Sequence, residues 1–148
     1  MRLRSMVAAL AAGVAVFGLA ISGAAYAADP IKIGLTGPFT GGSSSMGVSM
    51  RDGVKLAVEE VNKAGGVLGR PLQLVERDDE AKNEVGVQIA QELINKEGVV
   101  ATLGYINTGV ALASQRFYQK AEIPVINNVA TGTLISKQFV PPDNKNNY

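Results

Sequence analysis

Hydrophobic residues along the chain fall into short continuous runs separated by longer amphipathic stretches. Four apolar runs rich in β-branched residues predict strands, at residues 31–36, 72–76, 99–104 and 123–126. In the stretches between them, apolar side chains recur every three to four residues and predict helices, within 50–61, 83–98 and 109–121. Asn83 is expected to cap the second helix and Gly98 to end it.

This alternation predicts an α/β fold, a doubly wound parallel sheet with helices on both faces. We expect the strand order 2-1-3-4. The third strand is apolar throughout, as a central strand should be, and the alternating second strand belongs near an edge. The order places the topological switch between the first and third strands, where such sheets bind ligands.

Polar loops follow three of the four strands. A glycine- and serine-rich loop is predicted at 37–47, and others follow strands three and four. The strand order brings these loops to one cleft at the carboxyl edge of the sheet. Their short hydroxyl and amide side chains are Ser43, Ser44, Ser45, Asn107, Thr108, Thr131 and Thr133. A helix that begins near Gly109 would direct free amides at an anion such as a carboxylate.

The first 27 residues have the three regions of a secretory signal peptide. Arg2 and Arg4 form a basic start, residues 7–21 are apolar and uncharged, and a small-x-small site ends at Ala27. The apolar run is shorter than the roughly 20 residues of a membrane span. We therefore expect cleavage after Ala27 or Ala28, export to the periplasm, and a mature domain at 28–148 that does not insert into the membrane.

Composition narrows the classes of function. Without Arg2 and Arg4, 12 basic residues face 13 acidic ones, so the net charge of −1 gives no electrostatic case for nucleic acid. The chain has no Cys and no His. This excludes disulfides, a lipid-modified cysteine, an ordinary zinc site and a Ser-His-Asp triad. We expect a domain without a cofactor.

An acidic pair, Asp78-Asp79, ends the second predicted strand. Acidic pairs at strand ends can hold Mg²⁺. Because this pair stands alone in its segment, we expect a solvated loop or a helix cap instead. The tail at 140–148 is polar and proline-bearing, and it predicts no further element.

Several segments together resemble the leucine/isoleucine/valine-binding family, the type I periplasmic binding proteins of ABC importers. These segments are Ile31-Lys32-Ile33-Gly34, Thr36-Gly37-Pro38, Gly53-Val54-Lys55-Leu56-Ala57, Val61-Asn62, Gly65-Gly66-Val67-Leu68-Gly69-Arg70-Pro71-Leu72, Asp78-Asp79, Ile123-Pro124-Val125-Ile126 and Ala130-Thr131. The resemblance covers nearly all of the chain after the leader. It implies a ligand held between two α/β lobes, with its charged end bound mainly by the first.

The resemblance also implies specific ligand contacts. Thr108, just past the third strand, would bind the ligand carboxylate. Ala130 and Thr131 would supply backbone and hydroxyl contacts, and the carbonyl of Val129 would accept from an ammonium group. A side chain of the first loop, Ser45 or Met46, would pack over the ligand.

Three departures from the enteric amino-acid binders bear on the ligand. The first loop is longer and richer in serine, Asn127-Asn128-Val129 replaces a small Ser-Pro-small run, and a methionine replaces an aromatic residue. These departures point away from leucine itself, since some relatives bind aromatic or other small carboxylates. The resemblance thus implies the substrate-binding component of an importer for branched-chain amino acids or similar small carboxylates, with an inner-membrane permease as partner.

Family members continue through a second lobe, whereas this sequence stops at Tyr148. We therefore expect it to be the amino-terminal lobe of a longer binding protein. Two other functions remain open. A doubly wound enzyme is one, although the first loop lacks the P-loop, dinucleotide and Gly-x-Ser-x-Gly patterns. The ligand-sensing domain of a receptor is the other, because receptors can share this fold.

Overall fold

The computed structural model of the chain describes residues 29–139, and one parallel β-sheet lies at their centre. Its strands are β1 (Ile31–Gly37), β2 (Leu72–Asp78), β3 (Ala101–Gly104) and β4 (Val125–Asn127). They lie in the order β2-β1-β3-β4. This confirms the predicted sheet, its strand order, and the edge and central positions of strands two and three. The predicted leader (1–27) and the polar tail (140–148) lie outside the described residues.

Helices connect the strands and follow the last one. They are α1 (Ser44–Lys63), α2 (Asn83–Glu92), α3 (Thr108–Ala121) and the short α4 (Thr133–Lys137). Helix α2 continues into a π-helical turn, Leu93–Glu97, that ends at Gly98 with a φ of 66°. Glycine adopts this left-handed conformation readily, and the predicted stop at Gly98 is confirmed. In the described part of the chain, no helix is both long and apolar enough to cross a membrane.

Helix α1 begins at Ser44, well before the predicted start near Met50, so the prediction of a loop through Gly47 is wrong. Gly47 is buried against the backbone of Pro38, where a Cβ would overlap the Pro38 carbonyl oxygen. The glycine lets the first turn of the helix pack closely on the end of β1. Ser45 and Met46 therefore lie on the first turn of a helix and not in a loop.

The start of α2 also differs from the prediction. Lys82 is its N-cap and Asn83 its first residue, with no side-chain capping bond. The Asn83 amide lies beside the start of α3, where a Cβ on Gly109 would come within 2.9 Å of Asn83 Oδ1. The turn before α2 is closed instead by Asp79, whose Oδ1 accepts from the N–H of Ala81 at 2.9 Å. The predicted cap at Asn83 is wrong because its side chain lies against α3.

The two faces of the sheet carry different helices. Glu76 of β2 points towards α1 and pairs with Lys55 at 3.0 Å. The next residue, Arg77, points to the opposite face and pairs with Glu92 at 3.0 Å and Glu97 at 2.8 Å. Because side chains alternate along a strand, these ion pairs place α1 on one face and α2 with its π-helical turn on the other.

The buried apolar side chains lie mainly on the α2/α3 face. Their two clusters comprise Ala90, Tyr105, Val110, Ala111 and Tyr118, and Val75, Ile89, Leu93 and Val99. The rings of Tyr105 and Tyr118 meet edge to face with centroids 6.4 Å apart. This geometry suits the quadrupoles of aromatic rings.

The α1 face is covered over β1 and β2 but open over β4. In the strand register, Leu35 of β1 pairs with Leu103 of β3, which pairs with Ile126 of β4, so all three point to the same face. Leu35 is fully buried, whereas Ile126 is 58% exposed. An apolar surface next to β4 therefore remains in contact with solvent.

A tight turn lies at the amino end of β2. Val67 and Arg70 exchange two backbone hydrogen bonds, of 2.8 and 3.0 Å. Leu68 and Gly69 between them have φ values of 53° and 75°, the left-handed pair of a two-residue hairpin turn. The Arg70 Nε donates to the carbonyl of Asp29 at 2.8 Å. The start of the described chain is thus tied to the amino edge of the sheet.

Candidate functional site

The segments that follow β1, β3 and β4 lie side by side at the carboxyl edge of the sheet. The N–H of Tyr105, just past β3, donates to Thr36 of β1 at 3.2 Å. The N–H of Asn128, just past β4, donates to Gly104 at 2.9 Å, and that of Ala130 donates to Tyr105 at 3.0 Å. These bonds link the three segments in the sequence that the predicted strand order requires.

Two residues at the end of β3 make this close approach possible. Gly104 has a φ of 145°, and a Cβ there would overlap the Thr36 carbonyl oxygen. Tyr105 follows with a φ of 64°, which turns the chain away from the sheet. Its side chain is buried, and burial raises the pKa of Tyr105 well above its usual range. Tyr105 is therefore a neutral, buried side chain on which the loops pack.

Thr108 and the segment after β4 are in direct contact. Thr108 is the first residue of α3, and no side chain caps that end of the helix. A Cβ on Gly132 would overlap Thr108 Cγ2 and lie 3.6 Å from its Oγ1. The glycine thus lets this segment rest on Thr108, and it places Thr131 one residue from the contact. The positive end of the α3 dipole lies at the same point.

One backbone group of Ala130 is already hydrogen-bonded within the protein. Its N–H bonds to Tyr105, so a ligand could bind its carbonyl but not its N–H without breaking that bond. The neighbouring Thr131 is exposed. Among residues 29–139, the Thr131 hydroxyl and the carbonyls of Val129 and Ala130 make no hydrogen bond to the sheet edge.

An apolar groove of about 600 Å³ lies between α1 and the segment after β4. Its lining residues are Ser45, Met46, Ser49, Met50, Gly53, Val54, Ala57, Asn128 and Val129. Met46 is 50% exposed and Val129 41% exposed. The predicted site residues thus form two neighbouring groups, a polar one at Thr108, Ala130 and Thr131 and an apolar one at Ser45, Met46 and Val129, with Val129 next to Ala130 in the chain.

The acidic pair at the end of β2 is used for hydrogen bonding. Asp78 accepts from the N–H of Phe39 at 2.8 Å and from the Thr40 hydroxyl at 2.6 Å. The expectation for this pair was a solvated loop or a helix cap. Asp79 is 1% exposed and accepts from the N–H of Ala81 in the turn before α2, so the solvated loop is wrong for this residue. Burial raises the pKa of Asp79, although its bond from Ala81 opposes the shift. Among residues 29–139, no three His, Cys, Asp or Glu side chains are grouped to hold a metal ion.

Several residues of this region were not predicted as site residues. Met50 and Val54 lie on the apolar stripe of α1, which a periodicity argument assigns to the core, yet they line the open groove. Ser49 and Asn128 line it too. Gly132 carries no local signal beyond its position between two threonines, because its importance arises from its contact with Thr108.

Comparison with known proteins identifies the family. The family model described as "Periplasmic binding protein" matches residues 30–147. A relative from Pseudomonas aeruginosa, the leucine-, isoleucine-, valine-, threonine-, and alanine-binding protein, is 35% identical over 123 residues. That match covers 81% of this chain and 33% of the relative.

Solved structures with similar folds carry related names. The branched-chain amino acid transporter substrate binding protein LivJ from Streptococcus pneumoniae, solved with isoleucine, has a TM-score of 0.71 and 28% identity, and the match covers 74% of this chain and 31% of that one. A solute binding protein of an ABC transporter from R. palustris, solved with benzoate, has a TM-score of 0.66 and 27% identity, covering 72% and 29%.

The chain spans about a third of the length of these relatives. Within that third, the strand order and the helix-flanked parallel sheet are those of the resembled fold. The chain belongs to the leucine/isoleucine/valine-binding family of type I periplasmic binding proteins.

Proposed function

We propose that this chain is the amino-terminal lobe of a periplasmic substrate-binding protein, which captures a branched-chain amino acid or a similar small carboxylate for an ABC importer. The observation that carries the proposal is the contact between the uncapped start of α3 and the segment after β4, beside an apolar groove. A small molecule with a carboxylate and an apolar body matches both parts. Isoleucine and benzoate, named with two relatives, have this chemistry.

In this proposal, the polar group binds the charged end of the ligand. The Thr108 hydroxyl and the first-turn amides of α3 bind the carboxylate, because an uncapped helix start presents unpaired N–H groups and a positive dipole end. The Thr131 hydroxyl adds a second donor. An amino acid would also place its ammonium group at the carbonyls of Val129 and Ala130, whereas benzoate would leave these unused.

The apolar group covers the ligand body. Met46 and Val129 line the groove from α1 and from the segment after β4, and Ser45 lines it beside Met46. Methionine is flexible and polarisable, so it can pack against either an aliphatic or an aromatic body. This adaptability supports a ligand range that includes aromatic carboxylates.

The rest of the proposal concerns the whole protein. The leader at 1–27 directs export, the domain at 28–148 works in the periplasm, and a second lobe closes the cleft. An inner-membrane permease receives the ligand. The protein binds its ligand without transforming it, in keeping with its membership of a family of binding proteins.

One lobe alone binds weakly. Micromolar affinity corresponds to about 8 kcal/mol, and a lobe that keeps about half of it binds with a millimolar dissociation constant. Water at the open side of the cleft weakens each hydrogen bond to the ligand. The chain by itself is therefore too weak a binder to scavenge solute.

Titration of the chain with leucine, isoleucine, valine, phenylalanine and benzoate tests the proposal. We expect millimolar binding, with NMR shifts confined to residues near Ser45, Thr108 and Thr131. Thr108→Val should weaken binding roughly tenfold, as expected for a lost hydrogen bond to a charged group. Ser136→Ala, which removes an exposed hydroxyl of α4, is the matched control and should leave binding unchanged.

Two outcomes contradict this proposal. Binding of none of the five compounds would reject the site. Micromolar binding by the chain alone would reject the requirement for a second lobe.

A further inference from the structure

Asp78 accepts hydrogen bonds on both of its carboxylate oxygens. Its Oδ1 accepts from the N–H of Phe39 at 2.8 Å and from that of Glu80 at 2.9 Å. Its Oδ2 accepts from the Thr40 hydroxyl at 2.6 Å. Phe39 and Thr40 belong to the segment between β1 and α1, whereas Asp78 ends β2. One side chain of the sheet edge thus holds the start of the segment that leads to Ser45.

The remainder of that segment has little other support. A Cβ on Gly41 or on Gly42 would meet no atom within 4 Å, so both residues lie in open space. The N-cap of α1, Ser43, makes no side-chain capping bond. A second contact at Phe39 comes from Arg51, whose guanidinium lies over the ring at 5.3 Å from its centroid. Within residues 39–43, the Gly41 carbonyl also accepts from the N–H of Ser44 at 3.2 Å, a bond between residues three apart in the chain. Asp78 thus supplies the polar contacts that join this segment to the sheet.

We propose that Asp78 is a positioning residue for ligand binding, one that fixes the segment between β1 and α1 and so the first turn of α1. This inference rests on the proposed function, because Ser45 and Met46 lie on that turn. Asp78 does not touch the ligand. It acts through Phe39 and Thr40, since a segment that is already ordered loses less conformational freedom when a ligand binds.

The ionised carboxylate suits this role. Burial works to raise the pKa of Asp78, but the bonds from Thr40, Glu80 and Phe39 outweigh it and hold the pKa below its usual range. Asp78 is thus charged at neutral pH, and hydrogen bonds to a charged acceptor are stronger than those to a neutral one. An asparagine at this position keeps one oxygen for the two N–H donors and presents an amide to the Thr40 hydroxyl.

Four variants of the chain test the inference by two measurements. Hydrogen–deuterium exchange of the amides of residues 39–46 reports the order of the segment, and NMR titration with L-leucine and with benzoate reports binding. In Asp78→Ala we expect exchange about tenfold faster and binding about tenfold weaker, the loss typical of a hydrogen bond to a charged group. Asp78→Asn should restore both to within about threefold. Glu59→Ala, which removes an exposed carboxylate at the far end of α1, is the control and should change neither.

The two measurements separate this inference from the proposed function. If none of the five compounds binds the unaltered chain, the proposed function fails, while exchange still tests the anchor. Unchanged exchange in Asp78→Ala would overturn the inference, as would a loss of binding that Asp78→Asn does not restore. Should Asp78→Ala fail to fold, Thr40→Val removes one bond and keeps the carboxylate. It should speed exchange about threefold, and no change there would overturn the inference too.

Discussion

The two faces of the sheet differ in how completely they are covered, although the same strands form both. On the α2/α3 face, Leu93 and Tyr118 are fully buried, and Arg77 links β2 to two carboxylates. On the α1 face, Ile126 is 58% exposed, and a groove of about 600 Å³ separates α1 from the segment after β4. Strands of a parallel sheet are normally buried on both faces. The polar group of the candidate site, at the start of α3, thus belongs to the well-packed α2/α3 face. The apolar group belongs to the α1 face, which is partly open to solvent.

The largest expected effect compares two leucines. Leu93→Ala removes a fully buried side chain from the α2/α3 face and should lower the free energy of unfolding by about 2–5 kcal/mol. Leu56 on α1 is 57% exposed, and Leu56→Ala should change it by less than about 0.5 kcal/mol. Urea unfolding measures both. Similar losses in the two variants would mean that Leu93 is no better packed than a solvent-facing side chain of α1.

Two helix glycines sharpen the same comparison. A Cβ on Gly86 of α2 would overlap Val110 of α3, so Gly86→Ala should lower the free energy of unfolding by about 1–3 kcal/mol. A Cβ on Gly53 of α1 would meet nothing within 4 Å, and Gly53→Ala should raise that free energy by about 0.5–1 kcal/mol through helix propensity. Unfolding in urea again gives the values. Opposite signs are the expected result, and a stabilising Gly86→Ala would contradict the close α2–α3 contact.

The open face should bind hydrophobic dyes and promote association. We expect the chain to raise the fluorescence of 8-anilinonaphthalene-1-sulfonate and to form oligomers in light scattering. The reason is that Met46 and Val129 are exposed in the groove and Ile126 is exposed on β4. Ile126→Thr should lower the dye signal while changing the free energy of unfolding by less than about 0.5 kcal/mol. Leu56→Gln is the control on the outer surface of α1. If the chain stays monomeric and does not bind the dye, the exposed apolar surface on the α1 face would not promote association, and the prediction would be wrong.

The smallest effect concerns two neighbouring carboxyl groups with opposite pKa shifts. The pKa of Asp79 is raised from 3.8, chiefly by burial, so its contribution to stability falls as the pH rises above 3.8 through the folded-state pKa. Burial also works to raise the pKa of Asp78, but hydrogen bonds led by that from Thr40 lower it, so its contribution falls as the pH drops below 3.8. Asp79→Asn should remove the first dependence and Asp78→Asn the second.

Urea unfolding between about pH 3 and about pH 6 measures both dependences. If both variants abolished the same part of the dependence of the free energy of unfolding on pH, the assignment of opposite pKa shifts to Asp78 and Asp79 would be wrong. The parent chain measured across the same range provides the reference.

Periodicity and strand composition were enough to predict the sheet, its order and most helix positions. They failed at the start of α1, because Gly47 has the composition of a loop but serves a close contact with Pro38. They failed at Asn83 for a similar reason, since its side chain packs against α3. Both errors arise from contacts between elements that are distant in sequence, and local patterns do not record such contacts.

Some features of the candidate site were predicted from the sequence, and others appear only in the structure. Thr108 and Thr131 were predicted from strand ends and from the family resemblance, and Gly132 joins their segments in the structure. The sequence alone did not reveal that Ala130 has its N–H bound to Tyr105, nor that Asp78 holds the segment after β1. These facts depend on backbone direction and on strand register, which become known only once the sheet is assembled.

The bond from Arg70 to Asp29 has a practical consequence for labelling. It ties the beginning of the described chain to the amino edge of the sheet, whereas the loops of the candidate site lie at the carboxyl edge. β1 has seven residues, so the two edges are about 20 Å apart. A fluorophore attached just ahead of Asp29 would therefore report the tumbling of the lobe without touching the cleft. Under the proposed function, one attached at Ser45, which lines the groove, would respond to the ligand, and the pair would make a distance-based sensor.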